Sequence, residues 1–361
     1  MPHSPPSTPP KQQATQPHRQ PPNAALLINL GTPDELTIPA VRKFLSQFLS
    51  DPLVIRLPRP LRWLNPILGR LIGQFRARHA LEMYSAIWTE QGSPLRIILE
   101  QQRAALQERL GDAWQVHSAM RYGEPSIPRQ LTRIAESGAA SLTVIPLYPQ
   151  YSHGTTGSVL LQIAQWIRRT EPHIRLHVLS SCYDEPAYIA AQAELIAGTV
   201  QQFGWTSRDS FLLFSAHSIP LSHVAAGDPY PRQVAASATA IARQLDWPCD
   251  RFLVAYQSRF GPTQWLAPST EDAAEELTQR GEKRIVVCPL SFTTDCLETL
   301  EELGVRLAEQ VASSGGRLAL CPALNDSPTF VEALAGWCRR NEVHATTITA
   351  TTQPSNTQTE S

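Results

Sequence analysis

His217 stands where the apolar run FLLFS, residues 211–215, gives out, and Pro220 stops the chain shortly after. Imidazole titrates near neutral pH and ligates iron-group metals, so a histidine at a strand end suits proton transfer or metal ligation. A solitary histidine is also an ordinary structural polar group, and the strand-end position is what favours the chemical reading. A second group lies in SFTTDCLETLEEL, residues 291–303, where Asp295 and Glu298 share one face of a helix start. Two carboxylates so placed can take a cation or relay protons. An N-cap aspartate with a glutamate three residues later is equally a capping-box pattern, and caps alone account for both. The third group is AYQSRFGPTQW, residues 255–265, which sets Ser258 and Arg259 at a strand end and Trp265 beyond Gly261-Pro262. It reads as an aromatic wall or as a shielded core tryptophan.

These side chains need elements to hold them. Short β-branched runs at 25–30, 115–120, 141–147, 175–180, 211–216, 251–257, 284–290 and 317–321 alternate with helical patterns. Continuous apolar strands between helices predict parallel sheets covered on both faces. Eight strands divide into two sets of four, and the chain echoes itself across that division. VIPLYPQYSHGTTGS (144–158) and VVCPLSFTTDCLETL (286–300) each carry a strand into Pro-Leu, an aromatic, polar residues and a helix. The expected architecture is α/β, with two similar Rossmann-like halves at 24–180 and 181–340, the last helix free to pack on the first half. Tails rich in Pro, Gln, Ser and Thr at 1–23 and 341–361 read as disordered. Ligands in such sheets bind beyond the carboxyl ends of the strands, which is where His217 and the 291–298 loop fall.

Residues 52–83 break the alternation by mixing Leu, Ile and Trp63 with Arg56, Arg59, Arg62, Arg70, Arg76 and Arg78. Prolines at 58, 60 and 66 argue against one long helix there. The segment reads as an amphipathic hairpin packed on the core, as a lip resting on an anionic membrane, or as both. Other classes are disfavoured. No glycine-rich phosphate loop follows a strand, and no G-x-S-x-G elbow is present. A net charge of −1 gives no pull toward nucleic acid. Six cysteines without a C-x-x-C pair suit a reducing compartment, hence a cytoplasmic protein, if need be peripheral on the inner membrane.

In this order and spacing, LLINLGTPDELTIPAVRKFLSQFLSDP, SAMRYGEPSI, VIPLYPQYSHGTTGS, FSAHSIP, YQSRFGPTQWLAPST and PLSFTTDCLETLEEL resemble the ferrochelatase family, from about residue 25 to 340. The resemblance implies the type II chelatase fold, with insertion of iron(II) into protoporphyrin IX in the cleft between the halves. It implies His217 as the active-site histidine and Glu298 as its acid partner, the two serving as catalytic groups, as iron ligands, or both. Arg121, Tyr122, Tyr148, Trp265 and Phe292 would line the porphyrin pocket, and Asp295 would lie on a proton or metal path. Some relatives have histidine where Cys296 stands. Several carry an iron–sulfur cluster on a C-terminal cysteine group; here no cysteine follows Cys338 and His153 falls at one such ligand position, so no cofactor is expected and Fe(II) is substrate only. The 52–83 lip is implied to touch the membrane, and it resembles the protoporphyrin-using branch. The rival readings are another type II tetrapyrrole chelatase, for cobalt, nickel or coproporphyrin, and a haem or porphyrin carrier without chemistry.

Overall fold

A computed structural model describes residues 23–259 and 261–343. Of the tails read at 1–23 and 341–361, residues 1–22 and 344–361 lie outside that range. β1 (Asn23–Asn29), β2 (Trp114–Met120), β3 (Ser141–Pro146) and β4 (Arg175–Val178) form one sheet in the order β2-β1-β3-β4. β5 (Phe211–His217), β6 (Phe252–Gln257), β7 (Arg284–Pro289) and β8 (Arg317–Leu320) form a second in the order β6-β5-β7-β8. Every ladder is parallel, so the two halves repeat one topology.

Between β1 and β2 run α1 (Ile38–Leu49), α2 (Asn65–Ser85) and α3 (Pro94–Leu110), with α4 (Ile127–Glu136), α5 (Ser158–Thr170) and α6 (Pro186–Gln202) after β2, β3 and β4. The second half adds α7 (Leu221–Ala225), α8 (Tyr230–Gln244), α9 (Thr270–Gln279), α10 (Ala308–Ser313) and α11 (Pro328–Val343). Pro39, Pro66, Pro94, Pro128, Pro186 and Pro231 each sit in the first turn of a helix, where the missing N–H has no partner to lose. Pro66 therefore starts a helix rather than breaking one. Pro60 is confined to a 3₁₀ turn at Arg59–Leu64, leaving α2 as 21 unbroken residues.

One core runs through both halves. Leu27, Val116 and Met120 of the first sheet join Phe214, Val286 and Cys288 of the second, with Ile196 of α6 and Leu334 of α11 between them. α11 packs on α3 and α6, so the last helix closes against the first half. Separate clusters seal the far faces, under α4 and α5 in one half and under α9 in the other.

The lip is built on small residues. Along α2, Gly69, Gly73 and Ala77 are buried at i, i+4 and i+8, facing α1. A Cβ at Gly69 would stand 2.3 Å from Ser50 Oγ, and one at Gly73 would stand 2.7 Å from Ser46 Oγ. The backbones meet too closely for any larger side chain. The bulky residues of α2 are thereby left on its other side, where Ile67, Leu71 and Phe75 are exposed.

Candidate active site at the facing sheet edges

β5 carries an apolar run because it is central in its sheet and buried on both faces up to Ala216. Its last residue, His217, is half-buried at the carboxyl edge. The imidazole Nδ1 lies 2.7 Å from the carbonyl oxygen of Ser218. A carbonyl only accepts, so Nδ1 carries a proton and donates it there, leaving Nε2 outside that bond. The Phe292 ring stands 6.4 Å away, tilted by 53°, and the His217 backbone N–H donates to Ser291 Oγ at 2.9 Å. The loop carrying Trp265 pairs with the loop after His217: Leu221 N–H donates to Gln264 O, and Leu266 N–H to Ile219 O. Trp265 is thus pinned beside the histidine, and its indole Nε1 is buried with no protein partner.

The helix that follows β7 opens π-helical, from Glu298 to Leu307, before continuing as α10. Widened turns of this kind gather at functional sites. In this one Glu298 and Glu302 face each other. Gln257, in register with His217 across the β5–β6 ladder, donates to Glu298 O at 2.8 Å and to Glu302 Oε2 at 3.3 Å. Ser258, held at φ +63, donates its hydroxyl to the same Glu302 oxygen. Burial, and then the negative charge of Glu298, push the Glu302 carboxyl above its usual range, while His217 and Arg306 pull it back. Gln257, Ser291 and Glu302 were not singled out by sequence. Glu302 lies four residues after Glu298, a spacing that puts both on one helix face and could have pointed to it.

Asp295 is placed differently from the capping-box pattern. Its carboxylate accepts from Thr299 Oγ1 at 2.8 Å, Ala323 N at 3.2 Å and Asn325 Nδ2 at 2.6 Å. The helix begins two residues later than that pattern requires, so Asp295 ties the loop to the end of β8 instead.

The first half presents its own cluster. Arg121 and Tyr122 follow β2, and Gly31 follows β1 with φ +111. A Cβ on Gly31 would fall 1.8 Å from Tyr122 O, so only glycine lets the two loops meet. Asp51, at the entry to the lip, draws the cluster together: its Oδ2 accepts from Arg121, Tyr122 and Ser158. The Arg121 guanidinium lies 4.5 Å over the Tyr122 ring. Tyr148, at the end of β3, keeps a buried hydroxyl without a protein partner. The structure thus brings His217, Phe292, Trp265 and Glu298 to one edge and Arg121, Tyr122 and Tyr148 to the other, with no hydrogen bond between the groups.

A polar seam holds the two edges face to face. Asn29 donates to Thr294 Oγ1 at 3.0 Å, Thr293 to Leu147 O at 2.9 Å, and Gln102 to the carbonyls of Thr293 and Asn325 at 3.0 and 2.8 Å. Leu297 packs with Val41, Ala77 and Tyr84, so the lip helix abuts the start of the Glu298 helix.

Comparison with known proteins places this arrangement. The chain is 39% identical over 333 residues to a ferrochelatase of Polaromonas sp., covering 90% of this chain and 89% of the relative. It is 40% identical over 321 residues to a ferrochelatase of Xanthomonas axonopodis pv. citri, covering 89% and 98%. Among solved structures it is similar to SirB from Bacillus subtilis with Fe3+, at a TM-score of 0.52 and 13% identity, over 89% of this chain and 97% of that one. A second likeness, at TM-score 0.50 and 12% identity over 90% and 98%, is to the sirohydrochlorin chelatase SirB from Bacillus subtilis subspecies spizizenii in complex with cobalt. Those structures share the type II chelatase fold of two parallel four-stranded sheets. The ferrochelatase profile matches residues 22–342, nearly all that the structure describes, and the chain belongs to the ferrochelatase family.

Proposed function

We propose that the protein inserts ferrous iron into protoporphyrin IX to give protohaem, the porphyrin being held between the two sheet edges. The observation that carries this reading is the placement of His217: Nδ1–H is spent on Ser218 O, which leaves Nε2 as the ring nitrogen available to a ligand, beside Phe292 and near Glu302.

Metallation removes two pyrrole protons and strips water from iron(II). A flat macrocycle shields its inner lone pairs, so holding it bent moves the bound state toward the transition state. Phe292 and Trp265 on one edge and Tyr148 on the other supply the grip, and the unpartnered Trp265 Nε1 and Tyr148 hydroxyl are free to bond to a ligand. His217 Nε2 takes a pyrrole proton and passes it to Glu298, beside Glu302, whose own carboxyl is pushed above its usual range by burial and the Glu298 charge. Imidazole and carboxylate also suit ferrous iron, so the same residues hand over the metal. Arg121 holds Asp51 through one end of its fork and Ser158 through Nε, which leaves N–H donors for a propionate. Asp295 acts by positioning, through Asn325 and Thr299. The reading assigns no resident cofactor: iron enters as substrate, and the buried cysteines 182, 288, 296, 321 and 338 serve as core.

No helix among the described residues is long and apolar enough to cross a membrane. The lip, with Trp63, Ile67, Leu71 and Phe75 exposed beside Arg59 and Arg62, supports peripheral contact of a cytoplasmic enzyme with an anionic bilayer, which suits an apolar substrate.

The test is His217→Ala. Iron insertion, followed by loss of porphyrin fluorescence, is expected to fall by at least about 100-fold with porphyrin binding and melting temperature retained. Turnover near wild type would overturn the assignment. A matrix of metals against tetrapyrroles separates this chemistry from cobalt or nickel chelation, and single-turnover metallation separates it from a carrier.

A further inference from the structure

Tyr230 opens α8 with its ring in the apolar core that also holds Phe214, Ala216 and Val234. It is 5% exposed, and its hydroxyl is buried without a hydrogen-bond partner. A hydroxyl in such a core costs desolvation that a phenylalanine ring would not, so the oxygen calls for a task. The groups that face it are the Ser291 side chain and the backbone amide of His217. Ser291 Oγ accepts from that same amide at 2.9 Å, which leaves the serine a proton to give. Burial holds the Tyr230 hydroxyl above the usual phenol range, so it stays neutral and works by hydrogen bonding alone.

The surroundings make this corner stiff. Ser291 lies between Leu290, whose carbonyl accepts from the Tyr188 hydroxyl at 2.8 Å, and Phe292, whose ring faces His217. Beyond the histidine, Ser218 N–H donates to Gln257 O at 2.8 Å. The main chain is thus clamped before and after the imidazole, and Nδ1 meets Ser218 O only while that peptide keeps its orientation. Tyr230 is anchored in turn. Its N–H donates to Asp228 Oδ1 at 3.1 Å, and Asp228 Oδ2 accepts from Ser152 Oγ at 2.9 Å and His153 N–H at 2.8 Å in the first half.

We infer that Tyr230 is a positioning residue for His217: its hydroxyl takes the Ser291 proton, Ser291 holds the His217 amide, and the imidazole keeps its aim. The inference rests on the iron-insertion reading and adds to it a residue that acts only through another. Through Asp228 it also makes the aim of His217 depend on the contact between the two halves.

The test is Tyr230→Phe, which keeps the ring and removes the oxygen. For iron insertion into protoporphyrin IX, kcat is expected to fall about tenfold, with KM for porphyrin and for Fe(II) unchanged. The melting temperature should move by no more than a few degrees. Ser291→Ala is expected to lose as much kcat, and the double variant no more than Ser291→Ala alone, because both changes break one chain of bonds. Hydrogen exchange at the His217 amide, followed without substrates, should quicken about tenfold in Tyr230→Phe. Wild-type kcat in Tyr230→Phe, a loss carried by KM, or multiplied losses in the double variant would overturn the assignment. If wild type inserts no iron, the iron-insertion reading falls instead, and the exchange rate decides positioning by itself, equal rates in the two proteins overturning it.

Discussion

Two side chains decide how far chemistry can be told from scaffolding. Glu298 looked like the partner of an N-cap at Asp295; in the structure Asp295 bonds to Thr299, Ala323 and Asn325, and Glu298 is left to face Glu302. Glu298→Gln is accordingly expected to lower kcat by about 100-fold while the melting temperature moves by no more than a few degrees. A drop in melting temperature with normal kcat would return it to a capping role. His223 is the opposite case, a titratable group that works for stability. It is 5% exposed, and burial and then Arg56 push its pKa down to about 4, with Asp228 pulling it up and His153 adding to the depression. The folded chain holds His223 neutral while the unfolded chain protonates it near 6.5. Its contribution is therefore present above that value and lost as pH falls from about 6.5 to 4. The loss is expected to reach about 2 kcal/mol, and in His223→Phe the urea midpoint should vary less over that window. Strand ends and aromatic loops were legible in sequence because apolar runs and prolines mark them. The cluster around Asp228 was not, because His153 reaches His223 and Asp228 only through the fold.

At the scale of elements, all eight strands were readable from their apolar runs: β1, β3, β5 and β7 are central and buried on both faces, and the edge strands, β4 and β8 in part exposed, were marked by the helices between them. The lip was read only in part. Its prolines were taken as breaks, whereas the decisive residues are Gly69, Gly73 and Ala77, whose smallness lets α2 lie against α1. A helix docked through glycines turns its bulk outward, so the exposure of Phe75, at 76%, follows from the packing on the other side, and Trp63, at 68%, stands exposed in the turn just before that helix. Arg56 is half-buried, near His223 and Tyr151, so lipid-facing charge falls to the exposed Arg59, Arg62 and Arg70. Trp63→Ser with Phe75→Ser is expected to cut co-sedimentation with anionic liposomes at least about tenfold without loss of melting temperature. Arg59→Gln with Arg62→Gln should weaken it only at low salt. Unchanged binding in both double variants would remove the lip from the membrane.

The whole molecule is held together across the site by a few polar bonds set in a shared apolar core. Gln102 is fully buried, and its amide spans the carbonyls of Thr293 and Asn325 while its oxygen accepts from Thr294 at 3.4 Å. Removing it takes a partner from Thr293 O and Thr294 Oγ1, which keep Asn325 N and Asn29, and from Asn325 O. Gln102→Ala is expected to cost about 2–4 kcal/mol by urea unfolding, and to raise KM for porphyrin as the edges loosen. A stability loss with unaltered KM would show the seam to be structural only. The division into halves was visible in the paired words after β3 and β7, but the seam was not, since it joins residues about 190 positions apart. Those paired words have one more trait in common. Each leads from the third strand of its half into a π-helical segment, His153–Gly157 in the first and Glu298–Leu307 in the second. A π turn is the mark of one extra residue lodged in a helix. Its presence at the same topological place twice means that in each half the chain leaving a central strand enters its helix through a widened turn, one that carries carboxylates in the second half and none in the first.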